Sequence, residues 1–110
     1  MRFVSTRGGA TVSLDAALVN GIADDGGLYI PVELPSFELA DFDAATSIPE
    51  VARILLAPFF SDSALQGGLE QILTETFSFP IPANRLDSRD GNISLLELFH
   101  GPTAAFKDVG

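Results

Sequence analysis

The expected fold of this chain is decided by a stretch near its carboxyl end, Phe99-His100-Gly101-Pro102-Thr103-Ala104-Ala105-Phe106-Lys107-Asp108. Residues 92–99 have the composition of a β-strand, a glycine-proline turn follows, and a helix can begin near Thr103 as its N-cap. Ligands of α/β proteins commonly bind at the carboxyl ends of strands. The pattern therefore predicts that Lys107, in the first turns of that helix, reaches a ligand at the strand end.

Lys107 differs in chemistry from every other cationic side chain of the sequence, because it is the sole lysine and the others are five arginines. Arginine keeps its proton near neutral pH, whereas a lysine amine can lose its proton on burial and then attack a carbonyl. Apolar neighbours such as Ala104, Ala105 and Phe106 would favour the neutral amine. The alternative is a lysine at the start of a helix with its ammonium in solvent, and the residues alone leave both interpretations open.

Two blocks of the sequence resemble one enzyme family. Residues 97–108 are similar to the lysine motif of the threonine synthases, in which a leucine-rich strand leads into HGPT and then AFKD. Ser5-Thr6-Arg7-Gly8, together with residues 21–31, is similar to the amino-terminal domain of the same enzymes. Both blocks stand in the family's order and bracket nearly the whole chain, whereas the middle is matched only by its helical pattern.

The resemblance implies a fold and a domain organisation. Residues 1–79 would form a small α+β N-terminal domain, 80–92 a linker or hairpin, and 93–110 the truncated start of a catalytic domain that binds pyridoxal 5'-phosphate (PLP). The two prolines in residues 79–82 favour an extended connector there. The intact protein would resemble the α/β fold type II enzymes, which are similar to the tryptophan synthase β subunit.

The resemblance also implies an activity. The intact enzyme would convert O-phospho-L-homoserine and water into L-threonine and phosphate, with PLP held as a Schiff base on Lys107, the catalytic and cofactor-binding residue. The family's glycine-rich phosphate loop has no counterpart in these 110 residues. We therefore expect an N-terminal fragment that is inactive alone and binds PLP weakly or not at all. The alternatives are a related PLP-dependent phospho-lyase with another substrate, or a non-catalytic domain for packing or subunit contact.

Composition limits the other classes of function. Six Lys+Arg against fifteen Asp+Glu give a net charge of -9, which argues against nucleic acids and anionic membrane surfaces as partners. The absence of cysteine and the single histidine exclude disulfides, thiol catalysis and a multi-histidine metal site. The apolar run at residues 54–60 is far shorter than the ~20 residues of a membrane span. We expect a cytoplasmic protein, and the sequence does not indicate its oligomeric state.

Local patterns predict the elements of the amino-terminal half. We expect a strand at residues 3–6, a helix at 14–22 with Ser13 as its N-cap, and a strand at 28–30. One face of that helix would carry Leu14, Ala17, Leu18 and Ile22. Gly26-Gly27 can be a tight turn or a cradle for phosphate, and the turn is favoured.

Further patterns predict elements in the remainder of the chain. Residues 36–45 can hold one or two helical turns, and Ser47 with Glu50 has the spacing of a capping box. The helix that follows would direct Val51, Ile54 and Leu55 inward. A helix at 64–77 would bury an apolar stripe formed by Leu65, Leu69, Ile72, Leu73 and Phe77. Asp90-Gly91 predicts a turn between extended segments at 83–87 and 92–99.

His100 allows two further interpretations. It could act as a general base, or it could hydrogen-bond in a structural role. A serine-histidine-aspartate triad would have to use this residue, but no strand-Gly-x-Ser-x-Gly-helix pattern accompanies it. Thr103, Phe106 and Asp108 belong to the lysine motif without an assigned role.

Overall fold

The computed structural model describes residues 1–86 and 92–109. The chain divides into two compact units, Met1–Thr74 and Glu75–Gly110. The first unit combines a small antiparallel sheet with helices, and the second contains a two-stranded pairing and a 3₁₀ turn. The predicted α+β class is confirmed. The boundaries predicted at 79/80 and 92/93 stay a prediction.

The sheet of the first unit has three antiparallel strands. β1 (Arg2–Ser5) lies in the middle, between β2 (Val12–Ser13) and β3 (Tyr29–Pro31). Phe3 and Ser5 of β1 are buried, because alternate side chains of a strand point to the same face of the sheet. Both strands predicted in this half are therefore present, each displaced by about one residue.

Helix α1 (Leu14–Asn20) begins where the sequence predicts. Ser13 is its N-cap, and the Ser13 hydroxyl oxygen accepts a hydrogen bond of 3.2 Å from the Ala16 amide. Gly21, with a φ of 69°, ends the helix before residue 22, since this left-handed conformation suits glycine. The N-cap prediction is confirmed, and the predicted end was two residues too late.

The inner face of α1 is narrower than predicted. Leu14 and Ala17 are buried and cluster with Phe3 of β1. Leu18 and Ile22 are exposed, so only part of the apolar face that the sequence indicated is buried. The strands of the accompanying sheet are short, with two to four residues each.

Helix α2 (Ile48–Leu56) follows Ser47, but the predicted capping box is not formed. The Ser47 hydroxyl donates to Glu50 Oε2 at 2.9 Å rather than accepting from an amide. The same carboxylate oxygen accepts from the Thr46 amide at 2.7 Å, and this bond is the main reason why the pKa of Glu50 is lowered. Glu50 therefore anchors the start of α2 one residue further back than the capping box requires.

The side of α2 that is buried differs from the predicted one. Ala52 is buried, and Val51, Ile54 and Leu56 are partly buried. Leu55 is exposed, so its predicted inward position was wrong. The buried position of α2 is therefore Ala52, a small residue that the predicted apolar stripe did not include.

The predicted helix at 64–77 is divided. Gln66–Gly68 forms a 3₁₀ turn, and helix α3 (Leu69–Thr76) begins only after Gly68. Two adjacent glycines disfavour α-helix, which explains the late start. Leu69 and Leu73 are buried as predicted, whereas Leu65 and Ile72 of the predicted stripe are exposed. A separate 3₁₀ turn at Leu39–Phe42 confirms the helical turn expected within 36–45.

The second unit contains an antiparallel pair of strands, β4 (Ala83–Leu86) and β5 (Ile93–Leu96). Ala83 pairs with Leu96, and Leu86 pairs with Ile93. The predicted strand at 92–99 is therefore present but shorter. The predicted Asp90-Gly91 turn lies outside the described residues. Every residue of both strands is exposed in this chain.

Candidate active site

Lys107 lies in a 3₁₀ turn, Phe106–Asp108, rather than in an α-helix. The preceding residue, Ala105, has an extended backbone with φ -128° and ψ 151°. The Asp108 amide donates to the Ala105 carbonyl at 3.1 Å, and the Val109 amide donates to the Phe106 carbonyl at 3.0 Å. The helix predicted to begin near Thr103 was therefore wrong, because the backbone is still extended two residues later.

The Lys107 side chain is exposed. In the described ranges, 1–86 and 92–109, no hydrogen bond or ion pair involves its ammonium group. The apolar wall expected from Phe106 is not formed in this chain, since that ring is 63% exposed. The amine is therefore free to react with an aldehyde. The same surroundings also fit the alternative interpretation, a lysine with its ammonium group in solvent.

Asp108 holds the segment before the lysine. Its Oδ2 accepts the Thr103 amide at 2.9 Å, and its Oδ1 accepts the Thr103 hydroxyl at 2.7 Å. The bond from the hydroxyl is the main reason why the pKa of Asp108 lies below its ordinary value. We call these two bonds the Asp108–Thr103 clamp. Thr103 thus donates to a carboxylate and is not the N-cap that the sequence suggested.

Gly101 and Ala104 adapt the backbone to the clamp. A Cβ atom at Gly101 would lie 2.5 Å from both Cβ and Oδ2 of Asp108, so a larger residue cannot fit without displacement. Ala104 has a φ of 54°, a left-handed conformation that costs a non-glycine residue about 1–2 kcal/mol. Its amide donates to the Gly101 carbonyl at 3.1 Å. The turn between the strand and Lys107 is therefore closely packed and locally strained.

His100 belongs to a separate hydrogen-bond network. Its Nε2 donates to Glu97 Oε2 at 2.6 Å, and Asn84 of β4 donates to Glu97 Oε1 at 2.6 Å. The bond from His100, followed by the bond from Asn84, lowers the pKa of Glu97. The imidazole also lies against the Phe99 ring, with 4.6 Å between ring centroids. Its hydrogen bond among the described residues goes to a glutamate, not to the serine that a triad needs.

A second polar cluster, in the first unit, joins residue 5 to residues 25–27, which are the two parts of the amino-terminal sequence block. Ser5, only 6% exposed, donates to Asp25 Oδ1 at 2.7 Å, and the Gly27 amide donates to the same oxygen at 2.8 Å. The Ser5 hydroxyl is the main cause of the lowered pKa of Asp25, and the Gly27 amide is the second. We call Ser5, Asp25 and Gly27 the Ser5 cluster.

The glycine pair beside this cluster forms a turn. Gly26 has a φ of 77°, and its amide donates to the Ala23 carbonyl at 2.8 Å. The Gly27 amide is also engaged, by Asp25, so both amides bond within the chain and neither is left for a phosphate. The turn interpretation of Gly26-Gly27 is therefore the one that the geometry supports.

The described part of the chain also bears on two other classes of function, metal binding and membrane insertion. Within residues 1–86 and 92–109, no three side chains among histidine, aspartate and glutamate are grouped so that they could hold a metal ion. No helix in those ranges is both long enough and apolar enough to cross a bilayer.

Comparison with known proteins identifies the family. The model of the threonine synthase N terminus matches residues 2–77. Threonine synthase of Pseudomonas aeruginosa is 40% identical over 116 aligned positions, which cover 98% of this chain and 24% of that protein. The small α+β unit is thus that of the amino-terminal region of an enzyme family, and the alignment to this relative extends over nearly the whole chain.

Solved structures agree with the sequence match. PLP-bound threonine synthase from Brucella melitensis is similar with a TM-score of 0.82 and 39% identity, over 99% of this chain and 25% of that one. Threonine synthase from Escherichia coli gives 0.81 and 34%, over 98% and 25%. These neighbours are fold type II PLP enzymes, which confirms the predicted fold class. The chain belongs to the threonine synthase family, and it spans about a quarter of the length of these relatives.

The structure shows which residues of the lysine motif act together. Thr103 and Asp108 are joined, Gly101 packs against them, and His100 bonds elsewhere. Thr103 and Asp108 were predicted to belong to the lysine motif, but the contact between them was not predicted. The available signal was a hydroxyl residue five positions before a carboxylate, with turn residues in between.

Proposed function

We propose that the intact protein is a threonine synthase that converts O-phospho-L-homoserine and water into L-threonine and phosphate, with PLP linked to the side-chain amine of Lys107. The observation that supports this most directly is the sole lysine of these 110 residues, which lies exposed and without a polar partner among the described residues, on a turn fixed by its neighbour. Lys107 would be both the cofactor-binding and the catalytic residue.

The residues present fit the aldehyde end of PLP. Covalent binding requires a free primary amine, and Lys107 supplies the only side-chain amine of the sequence. When bound, PLP supplies an electron sink for the charge that develops at the substrate α carbon. A net charge of -9 does not suit phosphate binding, so we assign most phosphate contacts to other parts of the intact enzyme.

The reaction assigns Lys107 a second task after cofactor binding. Water contributes a hydroxyl to the β carbon, phosphate leaves from the γ carbon, and a proton is delivered to the γ carbon. The Lys107 amine would carry protons to and from the α and β carbons, which requires it to alternate between its neutral and protonated forms. An arginine cannot do this near neutral pH.

Residues 1–79 have a second proposed role, in packing or subunit contact. Val19 and Leu39 are 86% and 89% exposed, so both side chains are accessible to a surface that would pack on this domain. This role is compatible with catalysis by Lys107.

A related phospho-lyase with another substrate remains the alternative reaction. We place the intact protein in the cytoplasm, where a sequence without cysteine is at no disadvantage.

Lys107→Ala and Lys107→Arg in the intact protein test the proposed function. Both should lose threonine formation from O-phospho-L-homoserine, phosphate release and the visible absorbance of the lysine-bound cofactor. Arg53→Ala, which removes an exposed cation from α2, is the matched control and should retain all three. Near-normal turnover in either Lys107 variant would remove the lysine from the mechanism. Turnover of another phosphorylated amino acid, but not of O-phospho-L-homoserine, would establish the alternative lyase.

A further inference from the structure

We propose that Asp108 is a positioning residue, which fixes the direction of Lys107 through the Asp108–Thr103 clamp and takes no chemical part in the reaction. This inference rests on the proposed role of Lys107. It assigns a role to two motif residues, Thr103 and Asp108. The role depends on the hydrogen bonds between these two residues and not on a contact with the lysine side chain.

Among the described residues, Lys107 has no polar contact of its own that would orient its side chain. Its flexible four-carbon stem is exposed, and among the described residues its ammonium group makes no polar contact. The backbone of Phe106–Asp108 therefore supplies the restraint that the side chain lacks, since it fixes the point from which the stem leaves the chain. A single 3₁₀ turn is a weak element in isolation, so this backbone needs support from outside the turn.

The clamp supplies that support. Both oxygens of Asp108 are engaged by Thr103, one by the amide at 2.9 Å and the other by the hydroxyl at 2.7 Å. Two bonds to one residue fix the rotation of the carboxylate as well as its position, and bonds to an ionised acceptor are stronger than neutral ones. They close the loop 103–108, which contains the left-handed Ala104. Without the clamp, that strained conformation would lose its main restraint.

The surroundings of Asp108 argue against direct chemistry. The carboxylate is partly buried, and the backbone of Gly101 packs so closely that an added Cβ would lie 2.5 Å from Oδ2. A proton-transfer group must lie within hydrogen-bond reach of the reacting atom. Both oxygens of Asp108 are instead directed at Thr103, from which each accepts a hydrogen bond, so the contacts that the geometry shows give the carboxylate a structural role.

The test uses the intact protein with four substitutions. Asp108→Asn replaces one acceptor oxygen with an amide group that cannot accept, and Thr103→Val removes only the hydroxyl. Two variants are controls. Thr103→Ser keeps both hydrogen-bond donors, and Asp43→Asn removes an exposed carboxylate that makes no hydrogen bond in the described part of the chain. A misplacement of about 1 Å can cost roughly 100-fold in rate. We expect Asp108→Asn and Thr103→Val to lower kcat by about 10- to 100-fold with little change in KM.

Two further readouts separate positioning from loss of fold. Hydrogen–deuterium exchange of the cofactor-free protein should become faster in the peptide covering 101–109 for Asp108→Asn and Thr103→Val. Thr103→Ser and Asp43→Asn should match the wild type in exchange and within about twofold in kcat. Thermal unfolding establishes whether each variant is folded. If Asp108→Asn is unfolded, the kcat and the hydrogen exchange of Thr103→Val decide whether the inference holds.

Two results would overturn the inference. Loss of turnover in Asp108→Asn with wild-type kinetics in Thr103→Val would show that the carboxylate acts directly. Wild-type kinetics in both would show that the clamp does not control Lys107. The proposed function fails separately, by retention of turnover in Lys107→Arg, so the two failures can be distinguished.

Discussion

Gly27→Ala is the substitution for which the structure predicts the largest effect in the first unit. A Cβ atom at this position would lie 2.0 Å from the Ser5 hydroxyl oxygen and 3.0 Å from both Asp25 Oδ1 and Thr6 Oγ1. The Ser5 oxygen would have to move, and its 2.7 Å bond to Asp25 would be lost. The perturbation thus combines overpacking with an unpaired buried hydroxyl.

The magnitude follows from those two effects. Overpacking a core site costs about 1–3 kcal/mol, and an unsatisfied buried polar group costs about 1–3 kcal/mol. Because the two costs partly overlap, we expect a destabilisation of about 2–4 kcal/mol. A domain of this size loses about 4–8 °C of Tm per kcal/mol, so the midpoint should fall by roughly 10–25 °C.

Thermal and urea unfolding followed by circular dichroism would measure the change. Gly67→Ala is the matched control, because an added Cβ there meets nothing within 4 Å. The double variant Ser5→Ala/Gly27→Ala should recover part of the loss, since it removes the oxygen that the new methyl group strikes. A Gly27→Ala midpoint within about 2 °C of the wild type would refute the argument from close packing.

Three further outcomes are expected of the 110-residue chain. The pKa values of Asp25 and Asp108 are lowered by hydrogen bonds, so their stabilisation is present above the unfolded pKa of about 3.9 and is lost as pH falls through the folded values. Tm should therefore drop between about pH 5 and pH 2, and less so in Asp25→Asn; a Tm independent of pH in this range would contradict this. A titration with PLP should give no saturable absorbance beyond that of an equimolar free-lysine control, because most phosphate contacts are assigned elsewhere, and stoichiometric tight binding would show that the site is complete. Amides of residues 93–109 should exchange faster than those of Phe3 and Leu14, since the strands are exposed on both faces, and strong protection in a monomer would oppose this.

The elements that the sequence predicted well are those set by neighbouring residues alone. Ser13 caps α1 because its hydroxyl lies within reach of an amide three residues later. The capping box at Ser47 failed because Thr46 offers the same carboxylate a competing pair of donors, and spacing does not rank them. Local chemistry therefore identifies the start of a helix more reliably than the atoms that bind there.

The stripes of apolar residues were predicted too broadly for a different reason. Periodicity indicates which residues share a face, but burial depends on how large a surface lies opposite. Leu18 shares a face with Leu14, yet Leu18 is 56% exposed and Leu14 is 9% exposed. The Asp108–Thr103 clamp was not predicted, for a related reason. It depends on the left-handed backbone of Ala104 and on close approach to Gly101, and the spacing of apolar residues indicates neither feature.

The exposed pair of strands β4 and β5 has a practical consequence for handling the isolated chain. Leu86, Ile93, Leu95 and Leu96 present apolar surface, and a two-stranded pairing leaves an outer edge of unsatisfied backbone groups on each strand. Such edges are templates for pairing with another molecule, and a net charge of -9 is the main force that keeps copies apart. High salt screens that repulsion, so solutions of the purified chain should become turbid on salting and clear again on dilution into low-salt buffer.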